Sequence, residues 1–188
     1  MKRKPVIAIS GPPGAGSTTL ARALAERLGL KFFSPGFIQK GLVSGKNESE
    51  AAIRAWGTRK GSSKHFHQGL DQEQRELARK GGIVICGKLS VHFLKDLADL
   101  TVWLKVPLRV RAKRTAKRDG ISLKKAEESI RKRQEIERKR WKEIYGFDYF
   151  DQEKEADLVL KGELTVREEV ERVLKELEKK LTRAGNLP

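Results

Sequence analysis

Val6-Ile7-Ala8-Ile9-Ser10 runs directly into Gly11-Pro12-Pro13-Gly14-Ala15-Gly16-Ser17-Thr18-Thr19, and that loop runs into Leu20-Ala21-Arg22-Ala23-Leu24-Ala25. An apolar run of strand length, a glycine-rich turn and a helical pattern, in that order, are what a phosphate-binding loop requires. Glycines let successive backbone N–H groups converge on one anion at a helix N-terminus. The order predicts a nucleotide-binding chain in which Gly11, Pro12, Pro13, Gly14, Ala15, Gly16, Ser17, Thr18 and Thr19 form the cradle. A glycine-rich turn with no ligand is the plainer alternative.

The spacing follows G-x-x-x-x-G-K-[ST] at every fixed position but one. Ser17 stands where the lysine would be, and Thr18 supplies the hydroxyl for magnesium. The backbone cradle survives, but the cation that reaches the β- and γ-phosphates must come from elsewhere in the chain.

Further along, helical periodicity over residues 18–28 closes at Gly29, and a short strand over residues 31–34 ends at Pro35-Gly36. Residues 40–64 are rich in Gly, Ser, Lys and Asn, which predicts loops around one short helix near Ala51 to Trp56. A polar helix over 65–80, strands over 83–86 and 100–106, and charged helices over 108–119 and 122–145 follow. The last elements are a strand over 157–160 and an amphipathic helix marked by Val166, Val170, Val173, Leu174, Leu177 and Leu181. Strands that are apolar throughout and alternate with helices mean a parallel sheet covered on both faces. The fold class is therefore α/β, in one domain over 1–188.

Composition narrows the class. The 188 residues hold no run approaching the roughly 18 apolar residues of a membrane span, and Met1-Lys2-Arg3-Lys4 leads into a strand instead of a signal sequence. The expectation is a soluble, cytoplasmic protein with no membrane partner. A single cysteine, Cys86, excludes an internal disulfide, and its apolar neighbours suit buried packing. The formal net charge is +16, and between residues 105 and 142 there are 16 Lys or Arg against 5 Asp or Glu, a balance of +11. Such a block can track a nucleic-acid backbone, surround nucleotide phosphates, or form a solvated, ion-paired helix face. The three histidines lack metal-site spacing, and Trp56, Trp103 and Trp141 read as packing residues, with Trp141 able to border a nucleotide pocket.

With these segments placed, the chain resembles the nucleoside monophosphate kinases, most closely the archaeal type of cytidylate kinase. The similarity rests on Gly11-x-x-Gly14-x-Gly16-Ser17-Thr18-Thr19, where that family also carries a hydroxyl residue in place of the loop lysine. It rests too on Val102-Trp103-Leu104-Lys105-Val106-Pro107-Leu108-Arg109-Val110-Arg111-Ala112. The third stretch is Arg133-x-x-x-Glu137-x-x-Arg140-Trp141-Lys142-Glu143-x-Tyr145-Gly146-x-Asp148. The resemblance implies a phosphate-loop kinase fold of five parallel strands flanked by helices, with a monophosphate-binding region over 35–80 and a helical lid over about 111–140. It also implies transfer of the ATP γ-phosphoryl group, with Mg2+, to CMP or dCMP.

Arg133, Glu137 and Arg140 lie at i, i+4 and i+7, on one helix face. Two guanidinium forks around a carboxylate can hold a phosphate and a sugar hydroxyl; a surface Arg/Glu ladder is the alternative. Arg114 and Arg118 lie one turn apart and are lid candidates for the donor phosphates. The resemblance thus gives Arg118, Arg133 and Arg140 to the transferred group and Arg114 to the donor. Ser34, Asp71, Lys88 and Glu137 fall to the acceptor, and Thr18 to the metal. The chain departs from the family pattern at Phe37 (an acid), Gln72-Glu73 (two arginines) and Cys86-Gly87-Lys88-Leu89 (Glu-Gly-Arg-Leu). Two other functions stay open. One is a nucleotide-binding RNA- or ribosome-associated factor with a degenerate acceptor site. The other is a kinase for a different phosphorylated small molecule.

Overall fold

The computed structural model describes residues 4–45 and 47–183. Strand β1 (Val6–Ser10) is wholly buried and lies at the centre of a five-stranded parallel sheet of order β2-β3-β1-β4-β5. The others are β2 (Lys31–Phe33), β3 (Ile83–Cys86), β4 (Leu100–Lys105) and β5 (Leu158–Lys161). In register, Ile9 sits beside Cys86 of β3 on one side and Val102 of β4 on the other.

Both faces of the sheet are covered because both parities of β1 are apolar. Ile7 and Ile9 pack with Leu20 and Leu24 of helix α1 (Ser17–Leu28) and with Val173 and Leu177 of the C-terminal helix Val166–Arg183. Val6 and Ala8 face the other way, against Ala78 of the helix Lys64–Lys80 and Leu94 of the short helix Ser90–Leu94. Two-sided burial accounts for the continuous apolar runs in the strands.

In chain order the remaining helices are α2 (Pro35–Lys40), α3 (Glu48–Trp56), α4 (Lys64–Lys80), α5 (Ser90–Leu94), α6 (Leu108–Asp119), α7 (Leu123–Tyr145), α8 (Gln152–Glu155) and α9 (Val166–Arg183). Ser122 caps α7 by accepting a bond from the Lys125 amide. Ala112 of α6 meets Ala126 and Ile130 of α7, so small residues let the two basic helices pack closely.

The structure extends the sequence reading in the middle of the chain. Residues 40–64 hold one helix among loops as expected, but a longer one: Glu48–Trp56 begins at an Asn47 cap that accepts from the Glu50 amide. The helix Pro35–Lys40 just before it, with Pro35 in its first turn, was not expected. Helices α5 and α8 were not expected. Among the described residues no helix is long and apolar enough to cross a membrane.

Successive strands are laid on one side of β1 and then, at β4, on the other. Crevices form outside the carboxyl ends of strands at such a reversal, and here the glycine-rich loop leaves β1.

Candidate active site

The loop between β1 and α1 is held by geometry that only glycine adopts easily. Gly14 and Gly16 have φ of +77° and +97°, and a Cβ on Gly14 would stand 2.9 Å from Thr115 Oγ1 and 3.1 Å from the Arg111 carbonyl. Two arginines of α6 clamp the loop from outside. Arg111, buried, donates to the Val106 and Pro13 carbonyls, each at 3.0 Å. Arg114 donates to the Ala15 carbonyl at 2.5 Å and the Leu164 carbonyl at 2.8 Å, with Glu169 at 3.6 Å. Arg114 therefore spends its fork on backbone oxygens while bordering a cavity of about 520 Å³ beside Gly14, Gly16, Thr19, Arg118 and Leu164.

A second hollow of about 180 Å³ runs along the whole loop, where Ser34, Lys40, Glu48, Lys88, Arg133 and Glu137 meet residues 11–19. Arg118 lines both spaces. It donates to Asp119 at 2.6 Å, to Glu48 at 3.0 Å and to Ser49 at 3.0 Å, so α6 reaches across the cleft mouth to α3. The other Glu48 oxygen accepts from Lys40 Nζ at 2.7 Å. Burial works against charge on both partners. It holds Lys40 below its ordinary value, whereas Lys40 and Arg118 overcome it at Glu48 and keep that carboxyl below the usual range.

Arg133 and Glu137 come together as the helix spacing required: Nε donates to Glu137 Oε1 at 2.7 Å, and the Arg133 side chain is 11% exposed. Glu137 Oε2 is buried and has no hydrogen-bond partner among the described residues. An orphaned carboxylate oxygen beside a cleft is an acceptor for a ligand donor. Ser34 sits at the N-cap of α2, and its side chain accepts no bond from the helix, leaving its hydroxyl for the cleft.

A smaller polar recess of about 40 Å³ continues from that hollow, sharing Gly36, Gln39, Gly87 and Lys88 with it and adding His67, Asp71, Gln74 and Trp141. Asp71 accepts from Gln74 Nε2 at 3.0 Å and from the Tyr145 hydroxyl, and Gln74 in turn accepts from Ser90 at 2.8 Å. Burial raises the Asp71 carboxyl to about 6 against both donors. His67 is held neutral by burial and donates from Nε2 to the Gly61 carbonyl at 2.8 Å. Its ring packs 4.8 Å from Trp56 and 4.7 Å from Trp141.

Arg140 is not brought to this cleft. Its side chain is 44% exposed and paired with Glu143 at 3.1 Å. It borders a separate surface hollow with Ile53, Trp56 and Gly57. At that level α3 already covers the helix face that carries Arg133 and Glu137, so the i+7 guanidinium turns outward.

The departures from the family pattern separate in the same way. Gln72 and Glu73 are exposed on α4, where only Asp71 and Gln74 of that turn line the recess. Phe37 is 37% exposed and packs edge-on to Phe32, with Arg22 and Lys40 over its ring. Cys86 and Lys88 alone among these positions line the central hollow. Sequence reasoning missed Lys40, Glu48, Gln39, Gln74 and Arg111. Of these, Arg111 lay in a quoted family segment, and the others carried no local signal.

Magnesium binds through phosphate oxygens, waters and one or two protein oxygens. The Thr18 hydroxyl fits that donor set: it borders the hollow at the first turn of α1, 4.0 Å from Cys86 Sγ.

A phosphate loop bordered by two spaces, with arginines from a helical pair lining them, defines a phosphotransferase. The family model for the cytidylate kinase-like family matches residues 6–163. A cytidylate kinase of Methanopyrus kandleri is 38% identical over 155 residues, covering 78% of this chain and 79% of that one. One of Staphylothermus marinus is 35% identical over 181 residues, covering 91% and 99%. The chain belongs to the cytidylate kinase-like family. In fold it is also similar to shikimate kinase from Acinetobacter baumannii, with a TM-score of 0.60 at 19% identity over 94% of each chain.

Proposed function

We propose that this protein transfers the γ-phosphoryl group of Mg-ATP to the phosphate of CMP or dCMP. The single observation that carries the reading is the pair of spaces along one loop that share Gly14, Gly16, Thr19 and Arg118. A donor with its base in the larger cavity and its phosphates on the loop would meet an acceptor reaching in from the recess where the cations converge.

Phosphoryl transfer asks for in-line positioning and for positive charge on oxygens that become more negative. The attacking group is already an anion, so no side chain need remove a proton. The loop amides hold the donor phosphates, and the Thr18 hydroxyl would hold the magnesium ion, which would supply charge neutralisation at the phosphates. Arg118 and Arg133 face the travelling group, with Lys40 beside them. The Glu48 carboxylate now occupies Lys40 and Arg118, which marks their shared space as one that accepts an anion. Residues 35–80 form the acceptor side, with Ser34 and Glu137 at its phosphate and sugar end and Asp71 and Gln74 at its base end. The helical pair over about 111–140 acts as the lid.

A coupled assay for ADP release tests this across CMP, dCMP, UMP, AMP and GMP. The expected result is turnover with the cytidine nucleotides well above the purine ones. Turnover with a sugar phosphate and none with CMP would replace the acceptor while keeping the chemistry.

A further inference from the structure

The loop has no ammonium group of its own, because Ser17 occupies the lysine position, yet the structure brings one to it from another strand. The exit of β3 is pinned to the exit of β1: the Gly87 amide donates to the Ile9 carbonyl at 3.2 Å, and Ser10 Oγ donates to the Gly87 carbonyl at 2.7 Å. Gln152 Nε2 then donates to the Lys88 carbonyl at 2.8 Å. With its backbone fixed in this way, Lys88 reaches across and donates from Nζ to the carbonyl of Gly11, the first residue of the loop, at 2.8 Å.

Its other polar neighbour is looser. Glu137 Oε2 lies 3.8 Å from Nζ without a hydrogen bond, while Oε1 of the same carboxylate is taken by Arg133. An ammonium group has three donors, and only the bond to Gly11 is made among the described residues. Ser17 lines the same hollow as Lys88. The vacant lysine position and the supplied lysine therefore converge on one space.

We propose that Lys88 is the loop's missing ammonium group and bridges the β- and γ-phosphates of ATP. This rests on the kinase reading above and moves Lys88 from the acceptor side to the donor side. Lys40, Arg118 and Arg133 remain for the acceptor phosphate and the transferred group. A compact, rotatable point charge anchored on a loop carbonyl suits a phosphate pair held by backbone amides, where a rigid guanidinium fork would not fit the same anchor.

The free site also has a proton signature. Lys88 is faced by Glu137 and Arg133 from α7, Lys40 from α2 and Cys86 from β3. Burial outweighs the pull of Glu137 and lowers Lys88 to about 8. A polyphosphate beside it raises that value again, so ATP binding at pH 8.5 draws a proton from solution, up to roughly 0.7 per site by linkage.

The test uses the whole protein and binding of one nucleotide at a time, with no turnover. Calorimetric binding of a non-hydrolysable Mg-ATP analogue at pH 8.5, in two buffers of different ionisation heat, is expected to show proton uptake in the natural protein and none in Lys88→Arg. Lys88→Met is expected to weaken analogue binding at least tenfold and leave CMP binding within twofold. Ser17→Lys added to Lys88→Met is expected to restore most of the analogue affinity. Lost CMP affinity with unchanged analogue affinity in Lys88→Met, or no proton uptake by the natural protein, overturns the proposal. Because these are binding measurements without turnover, they stand apart from an acceptor assay in which no monophosphate is turned over.

Discussion

The loop and the surface that faces it are built differently. The donor's phosphate cradle is one contiguous stretch, residues 11–19, braced from outside by Arg111 and Arg114 of a single helix. The acceptor side is assembled from α2, α3, α4 and α7, none of which is adjacent in sequence to all the others. A loop that binds through backbone amides needs only glycines at fixed spacing. A surface that reads a particular base and phosphate needs side chains from wherever the topology can deliver them. The donor side should therefore tolerate change least at its backbone, and the acceptor side least at its charges.

The largest expected effect falls where the two sides meet. Arg133→Ala should lower kcat by about two to three orders of magnitude, the size of one transition-state contact, while ATP dissociation constants change little; steady-state kinetics with both substrates varied separates the two. Gly14→Ala attacks the backbone instead. It places a Cβ 2.9 Å from Thr115 Oγ1 at φ +77°, and thermal unfolding should report a loss of about 1–3 kcal/mol, the cost of such strain, with ATP affinity falling in parallel.

Asp71 sharpens the comparison through pH. Its carboxyl titrates at about 6 in the folded chain, above the ordinary 3.8, so the folded state binds more protons between those values. The stability this group contributes is present below about 4 and is lost as pH rises through 6. Asp71→Asn should remove that dependence in denaturation curves measured from pH 4 to 7. If the carboxylate accepts a base amino group, CMP affinity should also fall below pH 6 in the natural protein and not in the variant. The smallest effect is expected at Arg140. It is paired with Glu143 outside the cleft, so Arg140→Ala should alter kcat by no more than about threefold, against the hundredfold or more at Arg133.

The same contrast explains what could be read in advance. Five strands, the loop and the basic helical pair were legible because each is a local pattern: apolar runs, glycine spacing, 3.6-residue periodicity. The Arg133 and Glu137 pairing followed from i, i+4 geometry, which every helix satisfies. Arg140 did not follow, since whether i+7 shares a site depends on what covers that helix face, and here α3 does. Helix α3 itself was half hidden, because Trp56 earns its burial from His67 and Trp141 rather than from its own neighbours. Arg111 looked like one more charge in a solvated run. Its partners, Pro13 and Val106 carbonyls, become visible only when the loop is folded against α6.

The most direct measurement follows the phosphorus atom. ATP labelled in the γ-phosphate, incubated with Mg2+, CMP and the protein, is predicted to yield labelled CDP, at a rate that collapses in Arg133→Ala. Label recovered only as inorganic phosphate, or CDP formed equally well without Arg133, would contradict the account of a cleft in which these cations carry the transfer.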